Sequence, residues 1–123
     1  MRILIQEKLN EIDSIESSEP ITDDIVEKNK TYFGYELATS YKDSDLERNN
    51  TYRATITGHV IRKRIATENT LEILDNATKD IISKLKELNF KCSFQDVSID
   101  NGIKKIRLTG YVEYNEINNG LVL

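Results

Sequence analysis

Between Asn69 and Leu88 the residues Leu71, Leu74, Thr78, Ile81, Ile82, Leu85 and Leu88 recur at helical spacing, with charged residues in most other positions. That pattern predicts an amphipathic helix laid on a core. Asn69 stands where an N-cap belongs, and Glu72 three residues later completes a capping-box-like start. Asn89 supplies a left-handed stop before Phe90. A first helix is expected from Ile3 to about Ser17, where Leu4, Ile5, Leu9, Ile12 and Ile15 share one face. Ser17, Ser18, Glu19 and the single proline, Pro20, are expected to end it. Ile21 to Lys30 has no clear period and reads as a connection with at most one helical turn.

Elsewhere the period drops to two. Tyr32 to Tyr41 places Phe33, Tyr35, Leu37 and Tyr41 on one face and Glu36, Ala38 and Ser40 on the other, a half-buried strand. Tyr52 to about Ile65 points Tyr52, Ala54, Ile56, Gly58 and Val60 inward. Phe90, Cys92 and Phe94 open a third strand, which Val97 and Ile99 continue on the opposite phase, so a bulge is expected near Gln95–Asp96. Asp100-Asn101-Gly102 marks a tight turn. The fourth strand places Ile106, Leu108, Gly110, Val112 and Tyr114 on one side. The polar stretch from Lys42 to Asn50 is long for a hairpin link.

Ile56-Thr57-Gly58-His59-Val60 is echoed by Leu108-Thr109-Gly110-Tyr111-Val112, each in the second strand of a hairpin that follows a helix. The chain therefore reads as helix–hairpin–helix–hairpin. This is an α+β fold, a four-stranded antiparallel sheet with two helices on one face. The inward glycines are expected to let a helix approach closely. The other face carries Tyr32, Tyr111, Thr55, Thr57 and Thr109, a surface suited either to a protein interface or simply to strand propensity.

At 123 residues the chain, 1–123, fits a single domain. Its 38% hydrophobic and 31% charged residues, the former mostly in periodic segments, indicate an ordered domain. The net charge of −4 runs against a dedicated nucleic-acid binder but leaves room for a local basic patch. Arg62-Lys63-Arg64 and Lys104-Lys105 with Arg107 are the candidates, for phosphate contact or as a solvated edge that discourages strand pairing. No apolar run approaches the roughly 20 residues of a membrane span, and no signal-peptide pattern opens the chain. A soluble protein with no membrane partner is expected.

Candidate chemistry is sparse. One histidine and one cysteine give no ligand spacing, so no metal is expected. Asp43, Asp45 and Glu47 alternate faintly like a calcium loop but lack its glycine and distal glutamate. No nucleophile motif accompanies His59, and no glycine-rich loop precedes a helix. Cys92 reads as a small buried hydrophobe. The expectation is a protein without cofactors that is not an enzyme.

The order helix–hairpin–helix–hairpin at this length resembles the tail terminator (tail completion) proteins of long-tailed bacteriophages and related prophage tails. The stretch Thr31-Tyr32-Phe33-Gly34-Tyr35-Glu36-Leu37, the long loop after it, and Ser98-Ile99-Asp100-Asn101-Gly102 carry the likeness. The Ile-, Asn- and Lys-rich composition suits an AT-rich genome. The resemblance implies a structural virion protein of the tail, assembled in the bacterial host cytoplasm. It would form a ring, commonly hexameric, that stops tail-tube growth and meets the head connector protein. Such a homo-oligomer is heterologous and needs two different complementary patches. Candidate interface residues are Tyr32, Asp43, Asp45, Leu46, Glu47, Arg48, Tyr111, Leu121 and Leu123. Arg62, Lys63, Arg64, Lys104 and Lys105 are candidates for a basic patch facing DNA that passes through the lumen without sequence-specific binding. The alternatives are another neck or connector protein of the virion, or a small ligand-binding regulatory α+β domain.

Overall fold

In the computed structural model, residues 2–22, 25–42, 51–100, 102–117 and 120–122 are described. Two helices, α1 (Arg2–Asn10) and α2 (Thr70–Glu87), lie on one face of a mixed sheet. Its strands are β1 (Ile15–Ser18), β2 (Thr31–Lys42), β3 (Thr51–Lys63), β4 (Lys91–Asp100), β5 (Ile103–Ile117) and β6 (Gly120–Val122). They run in the order β1-β2-β3-β5-β4, and β6 pairs with β5 beyond the end of β4.

The four expected strands form the antiparallel centre, β2-β3-β5-β4. To it the structure adds β6 and a parallel edge, β1 on β2. This corrects the purely antiparallel, four-stranded expectation. The first helix is correspondingly short, ending at Asn10 rather than near Ser17. Ile12 and Ile15 stay buried, but they reach the core from a turn and from β1. Pairing with Thr31 to Gly34 outweighs the helical spacing of these isoleucines.

α2 is built as its sequence reads. The backbone N–H of Glu72 donates to Asn69 Oδ1 at 3.2 Å, capping the helix. At the far end Asn89 adopts φ 65°, and Phe90 N–H donates back to the Leu85 carbonyl at 3.1 Å. Leu74, Ile81 and Leu85 are wholly buried against Ile56, Val60, Ile106 and Leu108 from the sheet centre, with Phe33, Ile5 and Leu9 in the same core. Thr78, in the same stripe, is also fully buried and donates its hydroxyl to the Leu74 carbonyl at 2.7 Å. Tyr35 donates to Gln6 Oε1, and Gln6 Nε2 donates onward to the Ser17 carbonyl, so one side chain ties α1 to both β1 and β2.

The segment between β1 and β2 passes over the opposite face. Residues Ile21 and Val26 pack on Tyr32, Ile61 and Ile103, which sit out of phase with the main core on three strands. Ile25 N–H donates to the Thr22 carbonyl, within the expected limit of one helical turn. Glu27 N–H donates to the Tyr32 hydroxyl at 3.1 Å.

Two local expectations shift. The irregularity in the third strand falls between Val97 and Asp100, beyond Gln95–Asp96, and Gly102 at φ +75° helps close the turn into β5. Neither inward glycine admits a helix. A Cβ on Gly58 would meet the Gly34 carbonyl at 2.6 Å and Phe33 Cε1 at 2.7 Å. One on Gly110 would meet Cys92 Sγ at 2.9 Å. Both make room for neighbouring strands and their side chains.

Candidate functional surfaces

Strand pairing orders the face away from the helices, open except where Ile21 and Val26 cross it, into rows. Ala38, Thr55, Tyr111 and Lys91 face one another across four strands, as do Glu36, Thr57, Thr109 and Ser93, then Gly34, His59, Arg107 and Gln95. The middle row is a hydroxyl line, with Ser93 Oγ and Thr109 Oγ1 3.0 Å apart. On β3, β5 and β4 the outward positions hold Arg53, Lys63, Lys91, Lys105 and Arg107. Glu113 is the single carboxylate there among the described side chains. A chain of net charge −4 thus presents a face of positive charge.

Tyr111 anchors that face. The Arg53 guanidinium lies 4.3 Å above its ring centroid and Lys91 Nζ 5.9 Å away, an arrangement of cations on an aromatic face. Arg53 also reaches Glu113 Oε1 at 3.5 Å, while its Nε has no hydrogen-bond partner. Around this group lies a depression of about 290 Å³ lined by Thr55, Ser93 and Thr109 as well. Its floor offers hydroxyl and cationic donors, the functional groups that contact phosphate oxygens.

The five basic residues expected to act together are divided by the strand period. Lys63 and Lys105 point to the face away from the helices, beside the covered Ile103 and Ile61; Arg62 and Lys104 are paired positions on the helix side. Arg62 is no free cation. Its Nε and one Nη donate to the two carboxylate oxygens of Glu68 at 2.7 and 2.9 Å, and its other Nη donates to Thr31 Oγ1 at 2.9 Å. Hydrogen bonding from Arg62 holds the Glu68 carboxyl below its ordinary range. Arg64 and Lys104 line a separate shallow depression with Asn69 and Thr70.

Of the expected interface residues, Tyr111 is half-buried on the uncovered face. Tyr32 is corrected: it is 4% exposed, because Val26 and Ile21 cover it. Asp43, Asp45, Leu46, Glu47, Arg48 and Leu123 lie outside the described residues, and of Leu121 only its place in β6 is described. Arg53 and Lys91 were missed. Their odd-numbered positions, in phase with Thr55 and Tyr111, were the available signal.

Cys92 and Phe94 occupy the helix-side face of β4, yet Phe94 is 51% exposed. β4 is the sheet edge, and α2 packs on it without covering Phe94. Beside them α2 leaves a groove of about 580 Å³. Burial pushes the Cys92 thiol above its ordinary pKa, so it stays protonated. Among the described residues no three His, Cys, Asp or Glu side chains gather into a metal-holding group. No described helix is long and apolar enough to cross a membrane. Compared with known proteins, the chain matches no family model and no curated sequence.

Proposed function

We propose that this chain is a structural, non-enzymatic subunit of a phage tail, a terminator that closes into a homo-oligomeric ring at the end of the tail tube. In this reading the ring is hexameric and joins the tube protein to the head connector. The observation that supports it best is the unequal treatment of the sheet's two faces. Helices cover one, while on the other Ile21 and Val26 cover only the Ile61–Ile103 end, and the rest of β3, β5 and β4 presents hydroxyls, Tyr111 and cations. A cationic, hydroxyl-lined face suits sliding contact with a polyanion, because phosphate attraction needs no base reading. In a ring this face lines the lumen through which DNA passes, and Lys63, Lys91 and Arg107 meet the phosphates. The ring belongs to the virion tail and assembles in the host cytoplasm.

Native mass measurement of the full chain, alone and with purified tail tubes, tests the proposal, with electron microscopy of the capped tubes. A closed ring seated on the tube end is the expected result. A strict monomer that leaves tube length and tube ends unchanged overturns it.

A further inference from the structure

The two free edges of the sheet are chemically unlike. At the β4 edge, α2 and the strand enclose the 580 Å³ groove lined by Lys79, Ile82, Lys86, Cys92 and Phe94. Its wall is apolar, since Phe94 is 51% exposed and Ile82 half-buried. Its rim is cationic, and neither Lys79 nor Lys86 has an ion-pair partner among the described residues. At the β1 edge, α1 offers the reverse. Ile3 is 75% exposed, Glu7 stands one helical turn on, and Asp13 follows in the turn leading to β1. Glu7 and Asp13 likewise have no ion-pair partner among the described residues.

We propose that the occupant of the β4 groove is a second copy of this chain, presenting the α1 edge, with Ile3 set against Phe94 and Ile82, and Glu7 and Asp13 facing Lys79 and Lys86. Charge complementarity carries the pairing: unneutralised lysines frame one apolar surface and unneutralised carboxylates frame the other. Geometry supports it. The two surfaces sit at opposite ends of one strand order, so joining them is head-to-tail, the heterologous contact that closes a ring when the rotation permits. The contact also covers a long edge strand whose exposed phenylalanine invites unwanted pairing. It deepens the ring reading above and rests on it.

Cys92 makes the contact measurable. In the full-length Ile3→Cys variant each chain bears two different thiols, one on each proposed surface. Mild oxidation at high protein concentration, or a short bis-maleimide, should give a ladder of cross-linked species extending past the dimer on a non-reducing gel. The Ile3→Cys/Cys92→Ser variant should stop at the dimer or below. In parallel, Lys79→Glu/Lys86→Glu and Glu7→Lys/Asp13→Lys should each raise the concentration needed for assembly about tenfold or more. Mixing the two variants should restore assembly, because each then finds an opposite charge in the other. If the chain forms rings, yet no ladder passes the dimer and charge reversal changes nothing, the edge contact is wrong and the ring reading survives. If no assembly appears in solution or on tail tubes, both fall.

Discussion

Thr57 lies directly opposite Thr109 across the β3–β5 ladder, and the pairs Ile56–Gly110 and Gly58–Leu108 flank them symmetrically. The two copies of the short sequence echo are thus neighbours, related by a local two-fold axis between the threonines. Each glycine stands across from the bulky apolar residue that opens the other copy. The sheet order β2-β3-β5-β4 extends the same symmetry to both hairpins.

The two glycines should not tolerate a methyl group equally. At Gly58 the obstruction is the Gly34 carbonyl and the Phe33 ring, neither free to move. Gly58→Ala should cost about 1–3 kcal/mol, the usual range for overpacking. At Gly110 the nearest atom is the Cys92 sulfur, which a rotamer change can carry off. Gly110→Ala should therefore cost less in urea denaturation. Equal losses would show that the Cys92 side chain is held in place.

Arg62 and Glu68 make a two-toothed ion pair, with Thr31 on the third donor. Arg62→Met should destabilise the fold at neutral pH. Because the native Glu68 carboxyl titrates below its unfolded value, its contribution is complete above the ordinary carboxylate range and fades as pH falls through the lowered value. The stability gap between wild type and variant should close over that acid interval. A gap independent of pH from neutral down to about pH 2 would exclude this ion pair as its source.

Thr78 and Leu85 share the buried stripe of α2 but should respond differently. The Thr78 hydroxyl satisfies itself on the Leu74 carbonyl of its own helix, so Thr78→Val removes donor and desolvation together. A change within about 1 kcal/mol is expected. Leu85→Ala leaves a cavity in the centre of the core and should cost about 2–5 kcal/mol. Thermal or chemical unfolding distinguishes them.

Lys63 and Arg107 project from neighbouring strands on the face away from the helices. If that face meets DNA, the paired variant Lys63→Gln/Arg107→Gln should lower the slope of log affinity against log salt by roughly 0.9 for each phosphate that is no longer neutralised. The same changes to Arg62, on the helix side of the sheet, and Arg64, beside Asn69 and Thr70, should leave the slope nearly unaltered. A salt series on assembled protein with duplex DNA measures both.

The sequence displayed α2 most fully, because Asn69, Asn89 and the apolar stripe all point to one answer. Alternation likewise located β2, β3 and β5, down to which side chains face the core. β1 stayed hidden for a physical reason. Its four residues, Ile15-Glu16-Ser17-Ser18, carry too little pattern to compete with the helical spacing of Leu9, Ile12 and Ile15. Only its partner β2, thirteen residues on from Ser18, makes it a strand. Tyr32 was correctly opposed to Phe33, but what covers it comes from Ile21 and Val26 in an aperiodic stretch. The out-of-phase pair Ile61 and Ile103 was the one clue. As for the surfaces, adjacency in sequence suggested a patch at Arg62 to Arg64, whereas a strand sends adjacent residues to opposite sides.

The passage of the β1–β2 connection beneath the sheet gives the N-terminal third the form of a bracket. α1 grips the β1 border from above, and Val26 with Ile21 presses on its neighbour from below. The opposite border has a jaw on one side only. Fraying should start there, so backbone amides along the β4 rim should exchange with deuterium before those of β1, although β1 is the shorter ribbon by six residues.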